Sequence, residues 1–211
     1  MGVLARGSLL CLLVVNALWV APARASSHAP GSACRRLAGH DLAPDRDVKL
    51  VRSGGGLSGC VLPRGRVREV SSANQGDREF PSPLRAVAGA IVLFDQHYND
   101  QYVSGAFTTV FDLRTGRRYV IAQHLEGPES QPEQHFTAPR AFIDRHGAAV
   151  AAVASTTPDQ GVGIVRFTPA GVAQLLDLAT AADVPPASLT RRGDVIAWTH
   201  AGERRTTTFA G

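Results

Sequence analysis

Lysine is almost missing from this chain, and a second long apolar run is missing altogether. No window spaces its apolar residues three and four apart over three helical turns. Each gap excludes something. The N-terminal run is too short to cross a bilayer comfortably and no second candidate follows, so no membrane span is expected after signal cleavage. Without helical spacing, a helix bundle is excluded and short strands are favoured. With Lys49 as the sole lysine, arginine carries nearly all the positive charge, and the abundance of Ala, Arg, Gly and Val points to a GC-rich bacterial coding sequence. The seven histidines, His28, His40, His97, His124, His135, His146 and His200, form no H-E-x-x-H or H-x-H pair, the patterns that aim two ring nitrogens at one ion. The D-x-D-x-D-G spacing of a calcium loop is missing too.

What is present begins with the first 25 residues. Arg6 precedes an apolar stretch from Leu9 to Val20, and Ala23-Arg24-Ala25 supplies a small-residue exit. A basic start, a short apolar middle and an A-x-A site read as a secretory signal peptide, removed on export. Residues 26–33 then read as a flexible linker and 34–211 as a single domain of ordinary size. Localisation is expected to be secreted or in the cell envelope. Cleavage takes Arg6 and Arg24 from the 22 basic residues and nothing from the 18 acidic ones, so a net charge of +4 falls to +2. The high pI is thus partly a property of the signal, and no nucleic-acid partner is expected. The Arg114–Arg118 run and Arg204-Arg205 read as solvated turn and strand faces.

Of three cysteines, Cys11 lies inside the signal, and Cys34 and Cys60 remain. An even number in an exported chain predicts one disulfide between them, since only one pairing exists. Neither has further metal ligands at short spacing, so no metal and no cofactor is expected.

From Val48 onward short segments rich in Val, Ile, Thr and Phe alternate with Gly and Pro. Strands are expected over Val48–Arg52, Gly59–Leu62, Val67–Val70, Arg85–Ala88, Ala90–Tyr98, Ala106–Leu113, Arg118–Gln123, Ala141–Asp144, Ala148–Ser155, Gly163–Thr168, Val172–Leu178, Ser188–Arg191, Val195–Thr199 and Arg205–Phe209. Val172–Ala182 is the best helix candidate, but its middle also reads as a strand and is assigned so. Ser71–Pro83 and Glu126–Pro139 read as polar loops.

Two phrases recur. Strand, tight turn, strand occurs at Leu84–Phe94, Arg140–Val153 and Ser188–Trp198. Strand, glycine turn, strand occurs at Thr108–Ile121 and Ile164–Leu176, with a worn copy at Cys60–Val70. Gly65, Gly116 and Gly171, 51 and 55 residues apart, stand where a hairpin needs a positive φ. Each interval holds one four-stranded antiparallel unit. On the Phe111-Asp112-Leu113-Arg114-Thr115-Gly116 turn, the chain resembles the β-propeller repeats of secreted bacterial proteins, whose strands end in a D-L-x-T-G-like turn. The resemblance implies an all-β fold of antiparallel four-stranded units packed as a small or incomplete β-propeller. A β-sandwich is the alternative.

Candidate sites are few. Gly54-Gly55-Gly56-Leu57-Ser58-Gly59 matches G-x-G-x-x-G, but a strand with a proline stop follows instead of a helix, so a hairpin turn is expected rather than a nucleotide site. Ser58 lacks the second glycine of a nucleophile elbow, and His40-Asp41 has no required proximity to it. His124 with Glu126 on one strand face, and His135 beyond the loop, is the nearest approach to a metal-ligand set and reads as a solvated loop edge. The densest polar-aromatic stretch is Asp95–Tyr102. Asp95, His97, Tyr98, Asn99, Asp100 and Tyr102 suit contact with carbohydrate or protein, the rings burying area while polar groups fix orientation. Trp198 reads as core and Asp112 as a turn cap. The expectation is an exported, non-catalytic binding or scaffolding module; the alternative is an extracytoplasmic hydrolase of polysaccharide or peptide.

Overall fold

The computed structural model describes residues 33–42, 47–53, 56–63, 65–71, 83–99, 104–126, 134–155 and 161–210. The expected signal peptide, most of the linker, and Gly54, Gly55, Asp100 and Tyr102 lie outside the described residues. The chain is all-β. Unit 1 holds β1 (His40–Asp41), β2 (Val48–Ser53), β3 (Gly56–Val61) and β4 (Arg68–Ser71), preceded by the short helix α1 (Ala33–Arg36). Unit 2 holds β5 (Leu84–Ala88), β6 (Ile91–Asn99), β7 (Ser104–Asp112) and β8 (Arg118–Glu126). Unit 3 holds β9 (Gln134–Ile143), β10 (Ala149–Ser155), β11 (Val162–Phe167) and β12 (Ala173–Ala179). Unit 4 holds β13 (Thr190–Arg192), β14 (Val195–His200) and β15 (Glu203–Thr208), after a 3-10 turn at Pro186–Ser188.

Within each unit consecutive strands pair antiparallel. Among the described residues, units 2 and 3 are also stitched edge to edge, through His124↔His135 and Leu125↔Gln134. Among the described residues no pairing joins the last unit to the first.

The alternation of apolar residues explains how the units meet, because neighbouring positions of a strand face opposite sides. Val92, Phe94, Phe111 and Leu113 of unit 2 pack on Val48, Leu50, Leu57 and Val70 of unit 1. The intervening Ile91, Leu93 and Val110 pack on Ala149, Ala151, Val165 and Phe167 of unit 3. Unit 3 repeats the device, its Val150, Ala152 and Ile164 facing Ile196, Trp198 and Phe209 of unit 4. Each fully buried Leu, Ile or Phe contributes about 1.5–3 kcal/mol. A single quartet hides too little to stand alone, and each unit completes its core against its neighbour.

Arginines fasten the seams. Arg68 donates from Nε to Leu113 O and from Nη2 to Arg114 O, both at 2.8 Å. Arg114 reaches Arg145 O at 2.8 Å, and Arg191 reaches Ile143 O at 2.6 Å. Arg85 donates to Ala138 O at 2.7 Å and Pro139 O at 3.0 Å. A planar fork serves two carbonyls at fixed spacing, which an ammonium does poorly, and lysine's scarcity costs this fold nothing. Tyr119 adds a hydroxyl bond to Gly147 O at 2.7 Å; burial and the nearby Asp144 charge push its phenol well above its ordinary pKa.

The outer faces of units 1 and 4 differ. In unit 1, Val51 and Cys60 point outward yet are buried. The segment at residues 34–39, leading into edge strand β1, lies against them, tied by a Cys34–Cys60 disulfide, with Gly39 pressed against Val51. The outer face of unit 4 presents Thr190, Arg192, Val195, Arg204, Thr206 and Thr208 to solvent.

Several expectations are corrected. Gly56–Gly59 lie inside β3 rather than in a turn; Gly59 stands opposite Leu50 and against Leu113, where a Cβ would come within 2.5 and 2.9 Å of their methyls. Gly116 and Gly171 have φ of 78° and 79°, as their hairpins require. Gly65 has no positive φ, and its role is space, since a Cβ would meet Val61 O at 2.2 Å. The supposed loop 126–139 contributes Glu126 to β8 and Gln134–Pro139 to β9. Pro139 is tolerated because the β9–β10 register shifts between Ala152 and Ala154. Pro185-Pro186 delays the expected strand at Ser188 until Thr190, giving the 3-10 turn first.

Candidate functional site

Unit 2 projects beyond its seams. The β6–β7 hairpin keeps its pairing out to Asn99↔Ser104, and β8 follows β7 out to Glu126. This is the hairpin that the sequence marks at Asp95–Tyr102. The register sets three rows on one face: Asp95, Thr108, Ala122; then His97, Ala106, His124; then Asn99, Ser104, Glu126. Farther down the strands the same face carries Ile91 and Leu93 and packs on unit 3. The polar rows therefore stand at the mouth of the seam between units 2 and 3, where β9 crosses from one sheet to the other. There β9 extends the middle row, placing position 135 opposite position 124.

Asp95 is half-buried and already engaged. It accepts from Thr108 Oγ1 at 2.8 Å and from Arg85 Nη1 at 3.4 Å. Because Arg85 also holds the Ala138 and Pro139 carbonyls, Asp95 positions the cation that ties unit 2 to β9. The pair is partly exposed and contributes no more than about 1 kcal/mol. His97 is exposed, and neither it nor His124 lacks a partner. Tyr98 and Asn99 occupy the last positions of β6, while Asp100 and Tyr102 lie outside the described residues. The structure thus brings Asp95, His97 and Asn99 onto the face that also bears His124 and Glu126. It puts Tyr98 on the opposite face by strand alternation.

A second polar cluster went unread in the sequence. Asp177 on β12 is buried in the seam between units 3 and 4, its side chain 4% exposed. Trp198 Nε1 donates to Oδ2 at 2.7 Å, His200 Nδ1 lies 2.9 and 3.0 Å from the two oxygens, and Arg205 Nη1 is 3.3 Å from Oδ2. Burial pushes this carboxyl upward, but the Trp198 and His200 hydrogen bonds and the Arg205 charge outweigh it and hold the pKa below its ordinary value. A register shift between Ile164 and Val165 leaves Leu176 as an extra residue and sets Asp177 opposite Ile164, on the seam face. Trp198, expected as core, is core with a polar duty.

Other candidates resolve into architecture. Asp112 caps its turn, accepting from Arg114 N at 2.8 Å and Thr115 Oγ1 at 2.9 Å. Asp144 does the same with His146 N and Ala148 N. Ser58 stands opposite Val51, with Asp41 on the far side of that strand, so no nucleophile and base meet there. A cleft of about 390 Å³ at the seam of units 1 and 2 is lined by Val61, Gly65, Arg66, Arg68, Leu113 and Arg114. It is cationic and holds no carboxylate pair. Among the described residues, no helix is long and apolar enough to cross a membrane, and no three His, Cys, Asp or Glu side chains stand grouped as metal ligands. No protein-family model and no curated protein matches this chain.

Proposed function

We propose that this chain is an exported, non-catalytic module of propeller-like β units that binds or scaffolds in the cell envelope or outside the cell. The tip of the β6–β7 hairpin, Asp95–Tyr102, beside the mouth of the seam between units 2 and 3, is its contact surface. One observation carries the reading: the carboxylates best placed for acid–base work are committed to structure. Asp95 positions Arg85, Asp112 and Asp144 cap turns, and Asp177 joins two units. What unit 2 offers outward is instead a hairpin with histidine, amide and acid positions in register, a surface suited to a protein or carbohydrate ligand. Export rests on the basic-apolar-small pattern of residues 1–25 and on the Cys34–Cys60 disulfide, a bond that persists in oxidising compartments.

A second reading, a hydrolase of polysaccharide or peptide, draws on Asp177 and His200. A buried carboxylate on Nδ1 orients an imidazole whose side chain is 25% exposed, the relation of a general base to its orienting acid.

The test measures retention of the purified chain on envelope material, with Tyr98→Ala/Tyr102→Ala as the tip variant. It also measures turnover of ester, glycoside and peptide substrates with His200→Ala. Retention lost in the tip variant, with no turnover, supports the binding module. Turnover abolished by His200→Ala in a folded protein replaces it with the hydrolase. Intact mass of the exported chain reads signal removal directly.

A further inference from the structure

The cleft of about 390 Å³ at the first seam lies between two turns. One wall is the β3–β4 connection, with Val61, Gly65, Arg66 and Arg68; the other is the end of β7, with Leu113 and Arg114. Buried Leu113 and half-buried Val61 give it an apolar floor. Three guanidiniums and no acid line it. Asp112, beside it in sequence, is occupied by its own turn.

The next seam shows what packing alone asks of this place. Arg68 follows Gly65 by three residues, as Tyr119 follows Gly116. Each lies against the turn glycine of the following unit. A Cβ on Gly116 would come within 2.5 Å of Arg68 Nη1, and one on Gly171 within 2.8 Å of Tyr119 Cβ. Between units 2 and 3 the place is filled by the phenol ring, stacked on Phe167 with its hydroxyl on Gly147 O. Between units 1 and 2 it holds a cation beside open space.

Fastening the joint accounts for two of the three arginines. Arg68 commits Nε and Nη2 to Leu113 O and Arg114 O, and Arg114 commits Nε to Asp112 and Nη2 to Arg145 O. A guanidinium carries five N–H donors, so both keep some in hand. Arg66 is exposed and makes no hydrogen bond or ion pair among the described residues. The joint does not use it.

We propose that this cleft is an oxyanion site that takes the phosphate or carboxylate group of an acidic sugar. Planar guanidinium forks match the oxygens of either group. A cleft lined by one sign of charge also concentrates solutes of the other. Its volume lies within the range of small-molecule sites, about 300–1,000 Å³, and exceeds what a bare oxyanion fills. The charged group is therefore carried on a larger body, and the floor of Val61 and Leu113 suits the C–H face of a ring. The site is separate from the hairpin tip of unit 2 and does not rest on the binding-module reading.

The test titrates the untagged exported chain by calorimetry at low salt with glucose 6-phosphate, glucuronate, inorganic phosphate and glucose. Expected is one equivalent of an acidic sugar, glucose left unbound, and affinity that falls as salt is raised. Glucose 6-phosphate bound alone identifies phosphate as the group; glucuronate bound alone identifies carboxylate. Arg66→Gln should weaken binding about tenfold, the loss of one charge-assisted hydrogen bond, and leave the thermal melt unchanged. Arg66→Lys should recover part of the loss. Arg204→Gln, on the outer face of unit 4, should bind as wild type does. Tyr98→Ala/Tyr102→Ala should do so too, which keeps failure of the hairpin-tip reading distinct from failure here. Amide chemical shifts should move at 65–68 and 112–116. Unchanged binding in Arg66→Gln, shifts confined elsewhere, or no saturable binding of either acidic sugar overturns the proposal. Inorganic phosphate bound as tightly as glucose 6-phosphate overturns the sugar.

Discussion

Unit 1 carries apolar residues on its outer face, Val51 and Cys60, and keeps them dry beneath a covalently tied segment. Unit 4 turns threonines and arginines outward and needs no cover. A stack of sheets must finish somewhere, and a terminal unit needs a polar outer face or a lid. The first end is therefore secured from outside, by a disulfide. The last is secured from inside, by Trp198, Ile196 and Phe209 and by the Asp177 cluster. The two ends should fail under different insults.

The largest break in that contrast is Asp177→Ala. Removing one partner of a buried ionic set leaves His200, Arg205 and the Trp198 N–H without their acceptor, a loss of about 3–5 kcal/mol. Urea unfolding measures it; a loss below about 1 kcal/mol would show that apolar packing alone holds unit 4. Acid should act in the same place. Because the folded Asp177 pKa lies below its unfolded value, its contribution is complete above about pH 3.9 and disappears as pH falls through the lower folded value. Asp177→Asn should flatten that acid limb.

Next in size is the other end. Cys34→Ser/Cys60→Ser should cost about 3 kcal/mol, from the chain entropy of a loop whose cysteines are 26 residues apart. Amide exchange should quicken in residues 33–71 and stay unchanged in 195–208. Equal quickening at both ends would mean that the stack opens as one body and would erase the distinction. Trp198→Phe keeps an aromatic side chain but a smaller one, and deletes one hydrogen bond to a charged group, for at least about 1.5–3 kcal/mol, with unit 4 loosening first. At the bottom of the scale, Arg204→Gln on the outward face of unit 4 should stay within about 0.5 kcal/mol by thermal melt. A larger effect would show that this face is covered.

Most of the strand order was legible because each strand alternates or runs apolar between Gly and Pro. Strand β12 is the instructive case. Its helix-like spacing yields to pairing with β11, since Pro185-Pro186 and the Gly171 turn leave room for a strand alone. Asp177 was not legible. A single acid inside Leu175-Leu176-Asp177-Leu178 looks like a surface position of a strand, and its partners lie 21 to 28 residues away across a seam. The available signal was an acid amid apolar neighbours ahead of Trp198-Thr199-His200. The seam-mouth face was half legible: His124, Glu126 and His135 group together in the chain, but His97 does not. Its alignment depends on an irregularity between Thr108 and Thr109, where β8 holds one extra residue. Without that residue His124 would fall on the opposite face, because a shift of one turns a strand over.

The arginine forks that fasten the seams all grip main-chain oxygens: Leu113, Arg114, Ala138, Pro139, Ile143 and Arg145. Every residue type carries that acceptor, so the gripped loop can mutate without breaking the grip. At these arginine joints drift is thereby tolerated on the gripped side and forbidden on the other, whereas the Asp177 cluster needs its side chains on both sides. A chain assembled this way can lose the visible kinship of its repeats while its joints keep their geometry, and paired substitutions between neighbouring units would carry almost no trace of the contact.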